Sequence, residues 1–123
     1  MIKTGMTHES RMTVSDADTA AALGSGDMEV LATPALVALM ENAAMLCAAP
    51  HLPDGQTTVG SRISVSHLRP TAVGRTVTAS ATLTAADGRR LEFDVTAEDE
   101  NGTVGSGTHT RFIVDRNRFL NKL

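Results

Sequence analysis

Three stretches in the second half of the chain alternate apolar and polar residues with a period of two, the pattern of half-buried antiparallel strands. In Thr76 to Thr84 (TVTASATLT), Val77, Ala79, Ala81 and Leu83 share one face and only Thr and Ser occupy the other. Arg90 to Glu98 (RLEFDVTAE) repeats this with Leu91, Phe93, Val95 and Ala97 inward. Asp87-Gly88 between them supplies a tight hairpin turn, and Asn101-Gly102 gives the same signal before a third strand from about Thr103 to Val114. Upstream, Thr57 to Leu68 predicts a strand with Val59, Ile63, Val65 and His67 on one parity, and a weaker strand is predicted near His8 to Val14. Asp16 to Asp27 is small and polar, and predicts a loop or a short helical turn.

The run from Pro34 to Pro50 (PALVALMENAAMLCAAP) has a different character. It predicts a helix that is apolar on nearly every side, with Glu41 as its only charge. Thr33 is placed to cap it and Pro34 to occupy its first turn, where a missing N–H costs nothing. Pro50 and Pro53 end it. A helix apolar all round needs cover all round. One long helix among five strands therefore predicts an α+β hot-dog fold: an antiparallel sheet curled about the helix, closed by a second subunit. The whole chain, residues 1–123, is expected to form this single domain.

Composition narrows the function classes. A net charge of −3, no Trp or Tyr, and only Phe93, Phe112 and Phe119 as aromatics argue against nucleic-acid binding. One cysteine, Cys47, excludes an intrachain disulfide and any cysteine-cluster metal site, and it lies on the Leu36, Met40, Ala43 stripe as a packing residue. His8, His51 and His109 show no metal-ligand spacing. The N-terminus has no apolar leader-like run, and no window approaches the ~20 apolar residues of a membrane span. The expectation is a soluble, cytoplasmic domain with no membrane partner and no cofactor. Arg62, Arg69, Arg75, Arg89 and Arg90 against Asp87 alone form a local basic excess, either a phosphate-receiving patch or a solvated sheet edge. Gly105 and Gly107 are not followed by a helix, so they predict a bulge or close backbone approach rather than a phosphate loop.

Candidate chemistry centres on Glu41. A buried, unpaired carboxylate costs several kcal/mol, roughly, unless it is neutralised or bonded. His67 shares its parity with Ile63 and Val65, so its imidazole is expected to face the helix and to pair with the carboxylate. Thr33 lies eight residues before Glu41 and can border the same cleft. Each residue also has a plain reading: helix cap, surface charge, hydrogen-bonded core histidine.

The blocks VLATPALVALMENAAM, VGSRISVSHLRPTAVGRTVT, GRRLEF and VGSGTHTRFIV, spread in order from Glu29 to Phe119, resemble the fluoroacetyl-CoA thioesterase family, a branch of the hot-dog acyl-CoA thioesterases. The resemblance implies hydrolysis of a small acyl-CoA thioester at the subunit interface of a homodimer. Coenzyme A is then part of the substrate rather than a cofactor. It implies a catalytic triad of Thr33, Glu41 and His67, whose spacings match the family's, with Gly60 lining the substrate pocket and Arg111 near the site. The family's fluoroacetyl-specific enzyme carries phenylalanines six to nine residues before the threonine. Here Gly24 and Asp27 stand in the corresponding places, and no aromatic side chain closes the segment, which leaves the acyl group open. The alternative function is a non-catalytic acyl-CoA or small-ligand binding module on the same fold. A hot-dog dehydratase would need a differently spaced acid–histidine pair, which the sequence lacks.

Overall fold

The computed structural model describes all residues from Met1 to Leu123. Five strands form one antiparallel sheet: β1 (Thr7–Thr13), β2 (Gln56–His67), β3 (Thr76–Asp87), β4 (Arg90–Asp99) and β5 (Gly102–Asp115). Their order across the sheet is β1-β3-β4-β5-β2, so β1 and β2 are its edges. A four-residue helix, α1 (Ala20–Leu23), follows β1, and the long helix α2 (Thr33–Ala48) lies against the sheet. A last helix, α3 (Arg116–Asn121), was not anticipated from the sequence. This is the five-stranded hot-dog arrangement expected from the alternation.

The core is an 18-residue cluster in which the inward faces of β3 and β4 meet one side of α2. Val77, Ala79, Ala81, Leu83, Leu91, Phe93, Val95 and Ala97 are all buried, as the alternation predicts. Opposite them α2 presents Leu36, Met40, Ala43, Ala44 and Cys47. Cys47 is a packing residue, and burial pushes its thiol pKa up. By length and composition alone, Thr33–His51 could cross a membrane, contrary to the sequence expectation. Within the chain, burial reaches Leu36, Leu39, Met40, Ala43, Ala44, Cys47 and Ala48 of that helix.

The β3–β4 hairpin turns through Gly88, whose φ of +60° disfavours any side chain. Gly107 runs so close to the backbone of Ser64 that no Cβ fits, and Gly105 lets Leu36 and Met40 down onto β5. Both are close approaches of the kind expected of this glycine pair.

β2 departs from the predicted parity. Its pairing with β5 slips between Gly60 and Arg62, leaving Ser61 as a bulge. The bulge reverses the faces: Thr58 and Gly60 point to the helix side before it, and Ile63, Val65 and His67 after it. Val59, expected inward with them, pairs opposite the half-exposed Phe112 on the outer face. A strictly alternating β2 could not turn both Gly60 and His67 toward α2.

Much of the basic excess is neutralised. Arg69 binds Asp99, Arg75 pairs with Glu100, and Arg90 pairs with Glu92. Asp99 also accepts from the Thr71 hydroxyl and the Asn101 N–H. Burial alone would raise the Asp99 carboxyl, but these donors and Arg69 together hold it below its usual range. Of the arginines in this excess only Arg62 lies on an edge strand, β2, and Arg69, Arg75 and Arg90 are taken up by carboxylate partners instead of forming one free basic patch.

Candidate active site

Thr33 is the first residue of α2, and the cap position belongs to Ala32, whose extended backbone (φ −72°, ψ 142°) carries no capping side chain. The Thr33 hydroxyl is thus free of the capping duty expected for it. Its Oγ1 lies 2.8 Å from Nδ1 of His67, the last residue of β2. The other ring nitrogen, Nε2, is buried and has no partner within the chain. When the hydroxyl donates to Nδ1, the neutral imidazole carries its proton at Nε2, and that N–H then needs an acceptor from elsewhere. The pair opens into a cavity of about 300 Å³ walled by Val30, Leu31, Leu68 and Pro70, with Ser25 at its rim. No aromatic side chain lines it.

Glu41 sits on the same helix some two turns on, about 12 Å along the axis from Thr33. Contrary to expectation it is not buried: its side chain is 40% exposed. The core-facing stripe of α2 passes through Met40 and Ala44, which turns Glu41 aside toward β2. Glu41 makes no hydrogen bond with His67 inside one chain. Its carboxylate instead covers Gly60, where a Cβ would stand only 2.8 Å from Oε2. Gly60 leaves the carboxylate the space that a side chain would take, so an alanine there would push it aside.

Behind Glu41 lies Arg111, whose side chain is only 8% exposed. Nη1 stands 3.8 Å from the Glu41 Oε2, while Nε donates to Thr58 Oγ1 (2.8 Å) and Nη2 to the Thr58 carbonyl (3.0 Å). Burial lowers the guanidinium pKa and Glu41 opposes that shift. His109, 1% exposed, completes this layer, with Nδ1 2.7 Å from the Arg62 carbonyl and Nε2 3.2 Å from Arg111 Nη1. Sequence reasoning considered His109 only as a metal ligand and passed over Thr58. The β5 parity shared by His109 and Arg111 was the available signal.

The chain therefore brings together Thr33 with His67, and Glu41 with Gly60 and Arg111, as two clusters at the start and middle of one helix. An imidazole on a hydroxyl beside a pocket, with a carboxylate on the same helix, is the equipment of acyl transfer. Fold and site together define a thioesterase of the hot-dog class. Residues 14–117 match the family described as fluoroacetyl-CoA-specific thioesterase, and the chain belongs to that family. It is 41% identical over 95 residues to the fluoroacetyl-CoA thioesterase of Streptantibioticus cattleyicolor, covering 77% of this chain and 68% of that protein. A crystal structure of the fluoroacetyl-CoA thioesterase FlK superposes with a TM-score of 0.93 at 34% identity, over 99% of this chain and 95% of that one. A mutant of that enzyme in complex with fluoroacetate and CoA gives a TM-score of 0.90 at 34% identity, over 96% and 99% of the two chains. A thioesterase superfamily member from Thermus thermophilus reaches 0.91 at 25% identity, over 99% and 90%.

Proposed function

We propose that this thioesterase hydrolyses short acyl-CoA thioesters as a homodimer, with Thr33, Glu41 and His67 as its catalytic residues. The observation that carries the proposal is the 2.8 Å contact between the Thr33 hydroxyl and the His67 imidazole, at the mouth of a cavity sized for a small acyl group. Glu41 delivers the oxygen, by attacking the thioester carbonyl or by drawing a proton from the water that attacks it. Thr33 donates its hydrogen bond to His67 within the triad, His67 assists proton transfer, and backbone N–H groups at the helix start or Gly60 hold the carbonyl oxygen as it gains charge. Where Glu41 acts as base, the CoA thiolate leaves and takes up the proton drawn from water; where Glu41 attacks, the thiolate leaves a mixed anhydride on Glu41, and a water then opens it, giving its hydroxyl to the acid and its proton to the thiolate. Gly60 and Arg111 shape the carboxylate end of the site.

Three features support a dimer whose site lies at the subunit interface. β2 is a 12-residue edge strand beside the half-exposed Glu41. Glu41 and His67 stand apart within one chain, and the His67 Nε2 lacks an acceptor. A two-fold axis beside β2 runs the two long helices antiparallel, so that Glu41 of the partner subunit approaches Thr33 and His67. The absence of aromatic walls, with Gly24 and Asp27 in the preceding segment, favours acyl groups other than fluoroacetyl.

The test is thiol release across a panel of short, aromatic and fluorinated acyl-CoAs, with the mass in solution measured on the same sample. Turnover of short acyl-CoAs by a dimer is the expected result. Saturable binding without thiol release overturns hydrolysis in favour of a binding module, and full activity in a monomer overturns the shared site.

A further inference from the structure

We propose that His109 is a positioning residue for the reaction, acting through Arg111 to fix the carboxylate of Glu41. Two hydrogen bonds determine its protonation state. The Arg62 carbonyl only accepts, so Nδ1 carries a proton; the Arg111 guanidinium only donates, so Nε2 carries none. His109 is therefore a neutral imidazole in a single tautomer, and a second proton would set two cations 3.2 Å apart in the interior. Burial, with Arg111 beside it, holds its pKa below the usual histidine range, against the opposing pull of the Arg62 carbonyl, Glu41 and Glu92.

The consequence falls on Arg111. Its Nε and Nη2 are tied to Thr58, and Nη1 is the end of the guanidinium that faces Glu41. The His109 lone pair takes one Nη1 proton, and the planar guanidinium then directs the other toward Glu41. Phe93 packs against the His109 ring with centroids 6.3 Å apart, and the vacant Cβ position at Gly60 is faced by the Glu41 carboxylate, His109 Cε1 and Arg111 Nη1, at 2.8, 3.2 and 3.3 Å. A buried imidazole thus acts on the reaction from below the carboxylate, touching neither substrate nor reacting atoms. The inference rests on the catalytic role proposed for Glu41.

Two substitutions separate positioning from packing. An asparagine amide reaches the place of Nδ1 and keeps the bond to the Arg62 carbonyl but offers Arg111 nothing; a glutamine amide reaches the place of Nε2 and restores the acceptor. His109→Asn is expected to lower kcat about tenfold with KM within about twofold, and His109→Gln to stay within about threefold of wild type. In an Arg111→Ala background, His109→Asn should cost nothing further, because the two residues act in series. Melting temperatures on each variant identify any that fails to fold, and Gln with Asn then still gives the comparison through the variant that does. Equal kcat in folded Asn and wild-type enzymes, equal losses for Asn and Gln, or additive losses with Arg111→Ala would each overturn the proposal. Glu41→Gln in the same assay keeps the two readings distinct: if it retains full activity, the role of Glu41 fails, and if it is inactive while His109→Asn is unaffected, only the positioning role fails.

Discussion

Gly60→Ala adds a single methyl group at the point where the β2 strand meets the Glu41 carboxylate. The backbone there has an ordinary φ, so alanine introduces no conformational strain. Removing a glycine restricts the unfolded chain and stabilises by about 0.4–1 kcal/mol. The methyl would stand 2.8 Å from Glu41 Oε2, 3.2 Å from His109 Cε1 and 3.3 Å from Arg111 Nη1. Imidazole and guanidinium are locked from below, so the half-exposed carboxylate must move. Restoring ordinary contact requires a retreat of about 0.5 Å. Catalytic groups have to be held within about 0.5 Å of their productive geometry, and a misplacement of 1 Å costs on the order of a hundredfold. The expected loss is therefore about tenfold in kcat/KM, or ~1.4 kcal/mol of transition-state stabilisation. Stability should change by no more than about 1 kcal/mol, a shift of under roughly 6 °C in Tm for a domain of this size. Thiol release and thermal melting on the same preparation check both halves. A variant that keeps its rate within twofold shows that the carboxylate does not act from this position. A collapse of Tm shows that Gly60 serves packing instead.

Thr33 does not cap its helix, so Thr33→Val should leave stability within about 0.5 kcal/mol, whereas a true cap would cost ~1 kcal/mol; its thiol-release rate should fall by about a hundredfold or more, with partial recovery in Thr33→Ser. Glu41→Gln and His67→Ala, each inactive alone, should recover about a quarter of wild-type activity when unfolded and refolded together, through mixed dimers with one intact shared site; a mixture that stays inactive places the whole site within one chain. His109 binds its proton less readily folded than unfolded. The unfolded chain is thus protonated first as pH falls through about 6.5, and stability should decline from there towards the lower folded pKa and be flat above. His109→Gln should flatten that slope in pH-dependent melting curves, and an unchanged slope would place the acid sensitivity on other groups.

Alternation was a reliable guide where a strand is regular and one face is apolar, as in β4 and in β3 before its slip at Thr84, whose eight inward residues were all legible. It failed at Ser61 in β2, because a bulge is set by the pairing with β5 and leaves no mark on the hydrophobic pattern. Glu41 stood out as the only charge in its run, yet composition could not tell which way it points. The stripe that α2 presents to the sheet decides that, and it turns Glu41 to the flank. Thr33 fits the sequence rule for a cap and spends its hydroxyl on His67 instead, since a residue 34 positions away in the chain offers a hydrogen-bond partner at 2.8 Å. His109 and Arg111 were visible as a polar pair on one strand parity, but polar residues on a core-facing stripe disclose their partners only once Thr58 and Arg62 are brought alongside.

The central claim is that Glu41 carries the hydrolysis, and Glu41→Gln tests it with almost no change in shape. Initial rates of thiol release from the best acyl-CoA of the panel, measured beside Tm and mass in solution, should show kcat down by at least about a hundredfold in a folded dimer with KM little altered. A folded, dimeric Glu41→Gln enzyme that turns over the same substrate within about threefold of wild type would contradict it.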